Sequence, residues 1–216
     1  MANEKRLPRL YPIIDVDGFQ TETNRLQAML TFARELVAGG ATLVQYRNKS
    51  GSAAQMLGDL REVRRIIGAS ARLIVNDRAD LVLACGCDGV HLGQQDLSVE
   101  GARKILGDGA IIGLSTHSRQ EIADAEKSLV DYIAVGPIFS TATKKTPEPV
   151  VGLELIRAAR KATGKLLVAI GGITRANCGA VIEAGADSVA VIGDLKESPR
   201  DAVEEFGRIL ARVERG

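Results

Sequence analysis

Short, mostly apolar runs alternate with longer amphipathic stretches along this chain. Runs that are apolar on both faces are typical of strands buried inside a parallel sheet. They predict strands over residues 10–15, 41–46, 72–75, 89–92, 110–114, 131–135, 166–170 and 187–192. Residues 1–9 form a polar tail ahead of the first strand.

The stretches between these runs repeat apolar residues three and four positions apart, which is the spacing of one helix face. They predict helices over 24–37, 52–67, 79–84, 99–106, 152–162 and 175–184. Another helix is predicted to begin at the capping-box pair Ser118 and Glu121. The last predicted helix carries on one face Val203, Phe206, Leu210 and Val213.

Eight strand–helix units without a break in composition predict an α/β fold, a single-domain (β/α)8 TIM barrel over residues 1–216. The length is short for this barrel and leaves little room for an added domain. An open doubly wound sheet is the alternative. If it bound a dinucleotide, it should carry a Gly-x-Gly-x-x-Gly turn after the first strand, but the chain has Asp15-Val-Asp-Gly18 there.

Composition narrows the classes of partner. The net charge is +1, so no basic field indicates nucleic acid or an anionic membrane. No apolar stretch approaches the ~20 residues that span a bilayer, and the charged N-terminus does not resemble a signal peptide. Cys85, Cys87 and Cys178 do not suggest a disulfide framework or zinc spacing, so we expect a cytoplasmic protein with reduced thiols.

The two kinds of turn differ in chemistry. The helix-to-strand turns are plain, whereas the strand-to-helix turns hold carboxylates, cations, hydroxyls and paired glycines. In barrels of this kind the strand-to-helix turns form the active-site face. This asymmetry predicts an enzyme.

Asp77 and Asp96 follow two successive predicted strands. If these strands are parallel neighbours, both carboxylates lie at the same end of the barrel, where they suit a hard cation such as Mg²⁺. Each position also has a plainer interpretation. Asn76 or Asp77 could cap the short helix that follows, and Asp96 could be a turn residue before Ser98.

Cations and hydroxyls occur on the same face. Alternation along the second strand points Gln45, Arg47 and Lys49 the same way, which suits a diphosphate but also a solvated strand end. Ser115 could donate to a phosphate oxygen. The long loop 136–150 offers further groups that could clasp anionic oxygens or simply remain solvated: Thr141, Thr143 and Lys144.

The two histidines are less informative. His91 lies inside the fourth predicted strand, where a hydrogen-bonded core histidine is expected. We expect His117 to pack or point to water rather than to perform chemistry. The turns after strands seven and eight, with Gly171-Gly172 and Ile192-Gly193, occupy the usual phosphate position of these barrels. The glycines could also serve only tight turns. Together the groups predict a diphosphate subsite and a monophosphate subsite.

A series of segments in order from the second strand to the eighth resembles the thiamine phosphate synthases. They are Gln45-Tyr-Arg-Asn-Lys49, Val75-Asn-Asp77, Val90-His-Leu-Gly-Gln-Gln-Asp96, Gly113-Leu-Ser-Thr-His117, Gly136 to Lys144, Ala169-Ile-Gly-Gly-Ile173 and Val189-Ala-Val-Ile192. The resemblance implies that a hydroxymethylpyrimidine diphosphate loses pyrophosphate. The nitrogen of a thiazole phosphate, which could be carboxylated, then attacks the methylene carbon to give thiamine monophosphate.

The resemblance also implies residue roles. Asp77 and Asp96 would hold one Mg²⁺. The pyrimidine diphosphate would contact Gln45, Arg47, Lys49, Asn76, Ser115 and Lys144. Catalysis would fall to Arg47, Lys49, Lys144 and Ser115. The thiazole phosphate would contact Thr141, Thr143, Gly172, Ile192 and Gly193.

Two positions depart from the family pattern. Ser140 stands where proline is frequent in the family, and Gly193 stands where serine is common, so a looser loop 136–150 and a weaker hold on the thiazole phosphate are expected. A thiazole tautomerase on the same barrel and a non-catalytic binder of thiamine or thiazole phosphates are the alternatives. The resemblance implies small-molecule substrates, and it leaves a homo-oligomer open.

Overall fold

A computed structural model of the protein describes residues 6–141 and 149–213. Within these residues eight parallel strands pair in sequence order, and the first also pairs with the last, which closes a barrel. The strands are β1 Leu10–Asp15, β2 Leu43–Arg47, β3 Arg72–Asn76, β4 Gly89–Leu92, β5 Ile111–Thr116, β6 Tyr132–Val135, β7 Leu166–Ile170 and β8 Ser188–Val191. The predicted (β/α)8 barrel is confirmed, and the open sheet is wrong.

The helices surround the barrel. They are α1 Arg25–Ala38, α2 Ala53–Ile67, α3 Ala79–Cys85, α4 Val99–Leu106, α5 Arg119–Lys127, α6 Gly152–Ala162, α7 Cys178–Glu183 and α8 Pro199–Ala211. Short 3-10 turns follow β1 at Val16–Phe19 and β8 at Gly193–Leu195. No described helix has the length and apolar character to cross a bilayer.

The predicted start of the seventh helix is wrong. The prediction began it at Arg175, but α7 begins at Cys178. The Asn177 side chain accepts a hydrogen bond from the Thr174 N–H at 2.8 Å and donates to the Gly172 carbonyl at 3.0 Å. These bonds hold the segment as a turn, because a short amide side chain can replace helical backbone bonds. Val213, which was predicted on the last helix, lies beyond its end.

Two apolar layers stabilise the barrel. Side chains between the barrel and the helices form the larger layer, which includes Leu36, Leu60 and Phe206. Side chains that point inward form the second layer, made of Tyr11, Ile13, Leu43, Ile74, Ile111, Tyr132, Ala134, Val168 and Ala190. Strands buried on both faces need apolar residues at nearly every position, which explains the apolar runs in the sequence.

The helix-to-strand end of the barrel is less plain than the sequence suggested. The aspartate immediately before β4, β6 or β8 accepts a hydrogen bond from the backbone N–H of the second residue of the preceding strand, which is β3, β5 or β7 respectively. For Asp187 the acceptor distance to the Leu167 N–H is 2.8 Å, and Arg160 of α6 pairs with the same carboxylate at 3.0 Å. The equivalent groups elsewhere are Asp88 with Leu73 and Arg64, and Asp131 with Ile112 and Arg103. Each clamp ties two strands to the helix outside them.

Candidate active site

A cavity of about 460 Å³ opens where the strands lead into the helices. Its lining includes every predicted site residue that the structure describes: Gln45, Arg47, Lys49, Asn76, Asp77, Asp96, Ser115, Thr141, Gly172, Ile192 and Gly193. The remaining two, Thr143 and Lys144, lie outside the described residues. The structure therefore brings together residues from both predicted subsites, and their roles remain predictions.

Asp77 has an unusual backbone conformation. Its φ of 65° lies in the left-handed region, which a residue other than glycine rarely adopts. Its N–H donates to the His91 carbonyl at 2.8 Å, which ties the turn after β3 to β4. The N-cap position of α3 is Arg78, and no side chain caps that helix. The capping interpretation of Asn76 or Asp77 is therefore wrong.

The Asp77 carboxyl lies between a cation and a second carboxyl. Burial raises its pKa above the usual range. The hydrogen bond from Lys49 acts in the opposite direction, and the neighbouring Asp96 carboxyl raises the pKa further. Two acidic groups this close repel when both are ionised. The pair is therefore suited to bind a cation.

Asp96 is a turn residue that also lines the cavity. Its Oδ2 accepts a hydrogen bond from the Gly93 N–H at 2.7 Å. A Cβ at Gly93 would lie 2.9 Å from that oxygen, so the glycine leaves room for the carboxylate. Ser98 caps α4 by accepting from the Gly101 N–H at 3.1 Å. Because Ser98 caps the helix, Asp96 is not needed for that role, and it lines the cavity.

The two cations of the β2 end are held by carboxylates. Arg47 Nη1 lies 2.6 Å from Asp15 Oδ1 and 3.9 Å from Asp17 Oδ2, and Lys49 pairs with Asp77. The contacts of Asp15 and Asp17 with Arg47 were not predicted. Asp15 ends a buried strand, and a carboxylate at that position was the available signal. These pairs hold the guanidinium and the ammonium beside the cavity.

The turn after β7 requires glycine. Gly171 and Gly172 have φ values of 101° and 62°. A Cβ at Gly172 would lie 2.4 Å from the Ser140 carbonyl oxygen. The predicted helix N-terminus next to this pair is wrong, because α7 begins only at Cys178. After β8, by contrast, a 3-10 turn starts at Gly193 itself.

An ion-pair network joins the turns after β7 and β8. The Arg175 backbone N–H donates to Asp194 Oδ2 at 2.7 Å, and its Nε donates to the same oxygen at 3.0 Å. Arg175 Nη1 also donates to Glu205 of α8 at 2.7 Å. Asp194 and Thr174 line the cavity although they were not predicted. No local signal in the sequence pairs Arg175 with Asp194.

Both histidines line the cavity. The expectation of a hydrogen-bonded core histidine at position 91 is confirmed, because the side chain is buried between the Tyr132 hydroxyl and Ser115 Oγ, each at 2.9 Å. The His117 ring bonds the Gly136 carbonyl through Nδ1, and its backbone N–H donates to Glu121. These bonds hold the His117 ring at the cavity wall, and the expectation that it performs no chemistry stays a prediction.

The residues suit one hard cation. Asp77 and Asp96 offer carboxylate oxygens, and in the described part of the chain no group of three or more acidic, histidine or cysteine side chains could hold a metal. Mg²⁺ is commonly held by one or two carboxylates, with water and substrate phosphate as its other ligands. The donor chemistry at the cavity therefore fits Mg²⁺.

Comparison with known proteins places this geometry in a family. The family model of thiamine monophosphate synthase matches residues 10–195. The thiamine-phosphate synthase of Koribacter versatilis is 55% identical over 210 residues, covering 97% of this chain and 99% of the relative. That of Methanosarcina barkeri is 46% identical over 167 residues, covering 77% and 76%. The solved thiamine phosphate pyrophosphorylase from Pyrococcus furiosus has a TM-score of 0.82 at 34% identity, covering 94% of this chain and 95% of the other. The chain belongs to the thiamine monophosphate synthase family.

Proposed function

We propose that this chain is a transferase that joins a hydroxymethylpyrimidine diphosphate to a thiazole phosphate, giving thiamine monophosphate and pyrophosphate. The observation that carries the proposal is the lining of one cavity. It combines two cations and two carboxylates at the ends of β2 to β4 with a glycine turn after β7. The relatives named thiamine-phosphate synthase support the same reaction.

The diphosphate end of the cavity would be the part near Arg47 and Lys49. In the reaction the bond between the methylene carbon and the diphosphate oxygen breaks, and both electrons leave with pyrophosphate. Fixed positive groups aimed at the oxygens that gain charge stabilise such a transition state. Asp15 holds Arg47 in place at 2.6 Å, so little reorganisation would be needed when the charge develops.

Asp77 and Asp96 would hold Mg²⁺ at this end of the cavity. When bound, the ion supplies Lewis-acid stabilisation of the leaving pyrophosphate. Lys49 now pairs with Asp77, and its side chain is 44% exposed. It could therefore turn from the carboxylate to a diphosphate oxygen, and the bound ion would then be the positive partner of Asp77. The contacts predicted for Lys144 and Ser115 belong to the same end.

The thiazole phosphate would bind at the turns after β7 and β8. Gly172 and Gly193 line the cavity there, and the backbone of a glycine can approach phosphate oxygens closely. The Arg175–Asp194 network holds these two turns together. Thr141, Thr143 and Ile192 are proposed to complete the subsite.

The new bond then requires only that the thiazole nitrogen be positioned next to the methylene carbon. The thiazole nitrogen donates its electron pair to the electron-poor methylene carbon, so no nucleophilic side chain is required. Water would compete for that carbon, and apolar walls reduce its access. Ile13, Ile170 and Ile173 contribute such walls to the cavity.

The experiment is incubation of the protein with both substrates, with and without Mg²⁺. We expect thiamine monophosphate and pyrophosphate in equal amounts, only when both substrates and Mg²⁺ are present. Rearrangement of the thiazole phosphate alone would indicate a tautomerase instead. Binding of the thiazole phosphate without turnover would indicate a non-catalytic binder.

A further inference from the structure

A continuous chain of hydrogen bonds crosses the inside of the barrel. Gln45 Nε2 donates to the Tyr11 hydroxyl at 3.0 Å, and the Tyr11 and Tyr132 hydroxyl oxygens are 3.1 Å apart. The Tyr132 hydroxyl lies 2.9 Å from His91 Nδ1, and His91 Nε2 lies 2.9 Å from Ser115 Oγ. Both ends of this chain, Gln45 and Ser115, line the cavity.

The chain has a preferred direction. An amide N–H₂ can only donate, and each hydroxyl carries one hydrogen. If Tyr11 accepts from Gln45, its hydrogen can go to Tyr132, the Tyr132 hydrogen to His91 Nδ1, and the His91 hydrogen from Nε2 to Ser115. In the opposite direction the Tyr11 hydrogen would have no acceptor among the partners found in residues 6–141 and 149–213. An unmet donor in a buried site is costly.

Burial keeps the phenol hydrogens that this direction of the hydrogen bonds requires. Tyr11 and Tyr132 are buried, and desolvation raises the pKa of both phenols above the usual range, so both keep their hydrogen at neutral pH. Gly113 makes room for this arrangement. A Cβ at that position would lie 2.0 Å from Tyr132 Cζ and 2.4 Å from its hydroxyl oxygen.

We infer that this chain, from Gln45 through Tyr11, Tyr132 and His91 to Ser115, holds His91 with its hydrogen on Nε2 and turns the Ser115 hydroxyl into a hydrogen-bond donor toward the cavity. Because Ser115 Oγ accepts from His91, its own hydrogen is free for an anionic oxygen of the substrate. Tyr132 and His91 are then positioning residues. This functional consequence rests on the proposed function, whereas the state of the His91 ring does not.

The first test reads the ring directly. The protein contains two histidines, so its spectrum after labelling with ¹⁵N-histidine is simple. At about pH 8, where an ordinary imidazole is neutral, we expect the hydrogen of His91 on Nε2. His117 is the internal comparison, because its Nδ1 faces a carbonyl and must donate. A hydrogen on Nδ1 of His91 would reverse the chain and overturn the inference, whether or not the protein is active.

The second test removes the middle link. Tyr132→Phe should lower the preference of His91 for Nε2–H by about tenfold, since one hydrogen bond that enforces it is lost. Tyr46→Phe is the matched control. It removes another buried tyrosine hydroxyl, which bonds Asp59 at 2.8 Å outside this chain, and should leave the His91 signal unchanged. If Tyr132→Phe folds poorly, Tyr11→Phe breaks the neighbouring link.

The third test separates positioning from general structural damage. Ser115→Ala should lower kcat by about tenfold to a hundredfold, as expected for a hydrogen bond to a charged group. Tyr132→Phe alone should lower kcat by about tenfold. In the Ser115→Ala background it should lower kcat by less than about twofold, because the donor it orients is already gone. Equal losses in both backgrounds would mean that Tyr132 does not act through Ser115.

Discussion

Replacement of Asp77 by asparagine tests the predicted metal site more cleanly than replacement by alanine. Asparagine has nearly the same shape and tolerates a left-handed backbone, so it can keep the φ of 65° found here. Alanine would add about 1–2 kcal/mol of backbone strain at that position. Asp77→Asn therefore changes the charge of the group and little else.

The expected loss follows from the donor set. Asp77 and Asp96 are the two carboxylates proposed to hold Mg²⁺, so the substitution removes half of the proposed anionic ligands for the ion. It also leaves Lys49 without its carboxylate partner. Charge stabilisation by a metal contributes several kcal/mol. A loss of about 4 kcal/mol corresponds to a roughly thousandfold fall in kcat/KM.

The assay is pyrophosphate release at increasing Mg²⁺ concentration, together with thermal unfolding in the presence of Mg²⁺ alone. We expect a higher half-saturating Mg²⁺ concentration and a smaller stabilisation by the ion. Asp80→Asn is the control, because Asp80 is exposed and pairs with Arg78 away from the cavity. If Asp77→Asn kept kcat/KM within about tenfold of wild type, with an unchanged response to Mg²⁺, the metal assignment would be wrong.

Three further predictions concern binding, pH and stability. Gly172→Ala should raise KM for the thiazole phosphate at least ~tenfold, because Gly172 has a positive φ and the new Cβ would meet the Ser140 carbonyl. Gly164→Ala is the control and should leave KM unchanged, because a Cβ there meets nothing within 4 Å. Initial rates at varied thiazole phosphate concentration measure both values. Burial raises the pKa of Asp77 in the folded protein, so the wild type loses stability as pH rises through this raised pKa. Without Mg²⁺, Asp77→Asn should therefore have a higher Tm than wild type at neutral pH but not below about pH 4. A Tm difference that stays equal across a pH series would contradict this. Asp187→Asn should lower the free energy of unfolding by about 2–3 kcal/mol with kcat nearly unchanged, since it breaks a buried clamp remote from the cavity. The same denaturant titration of Glu154→Gln, in an exposed pair, should show less than about 1 kcal/mol, and a similar loss in both variants would refute the reasoning.

The order of strands and helices was predictable because it depends on each segment's own polarity. β1, β4, β7, α4 and α6 have the predicted bounds. The start of α7 was not predictable in this way. Its first turn is replaced by side-chain bonds of Asn177, and helical spacing does not reveal that competition.

The site was predictable as a set of residues and not as a set of contacts. Polar residues at the ends of parallel strands must meet at one mouth of the barrel, so Asp77 and Asp96 could be placed together from the sequence. The pairing of Arg47 with Asp15 and the clamp made by Asp187 were missed. Each depends on which neighbouring strand or helix lies within reach.

By itself, the sequence determined the repeating units, the face that carries the chemistry and the resemblance to a family, because these depend on residue type and spacing along the chain. Only the tertiary structure decided which buried polar groups become partners. Tyr11 and Tyr132 are 121 positions apart in the sequence, and their hydroxyls meet because the barrel closes around them. Closure sets these distances, and a pattern of local polarity contains no information about it.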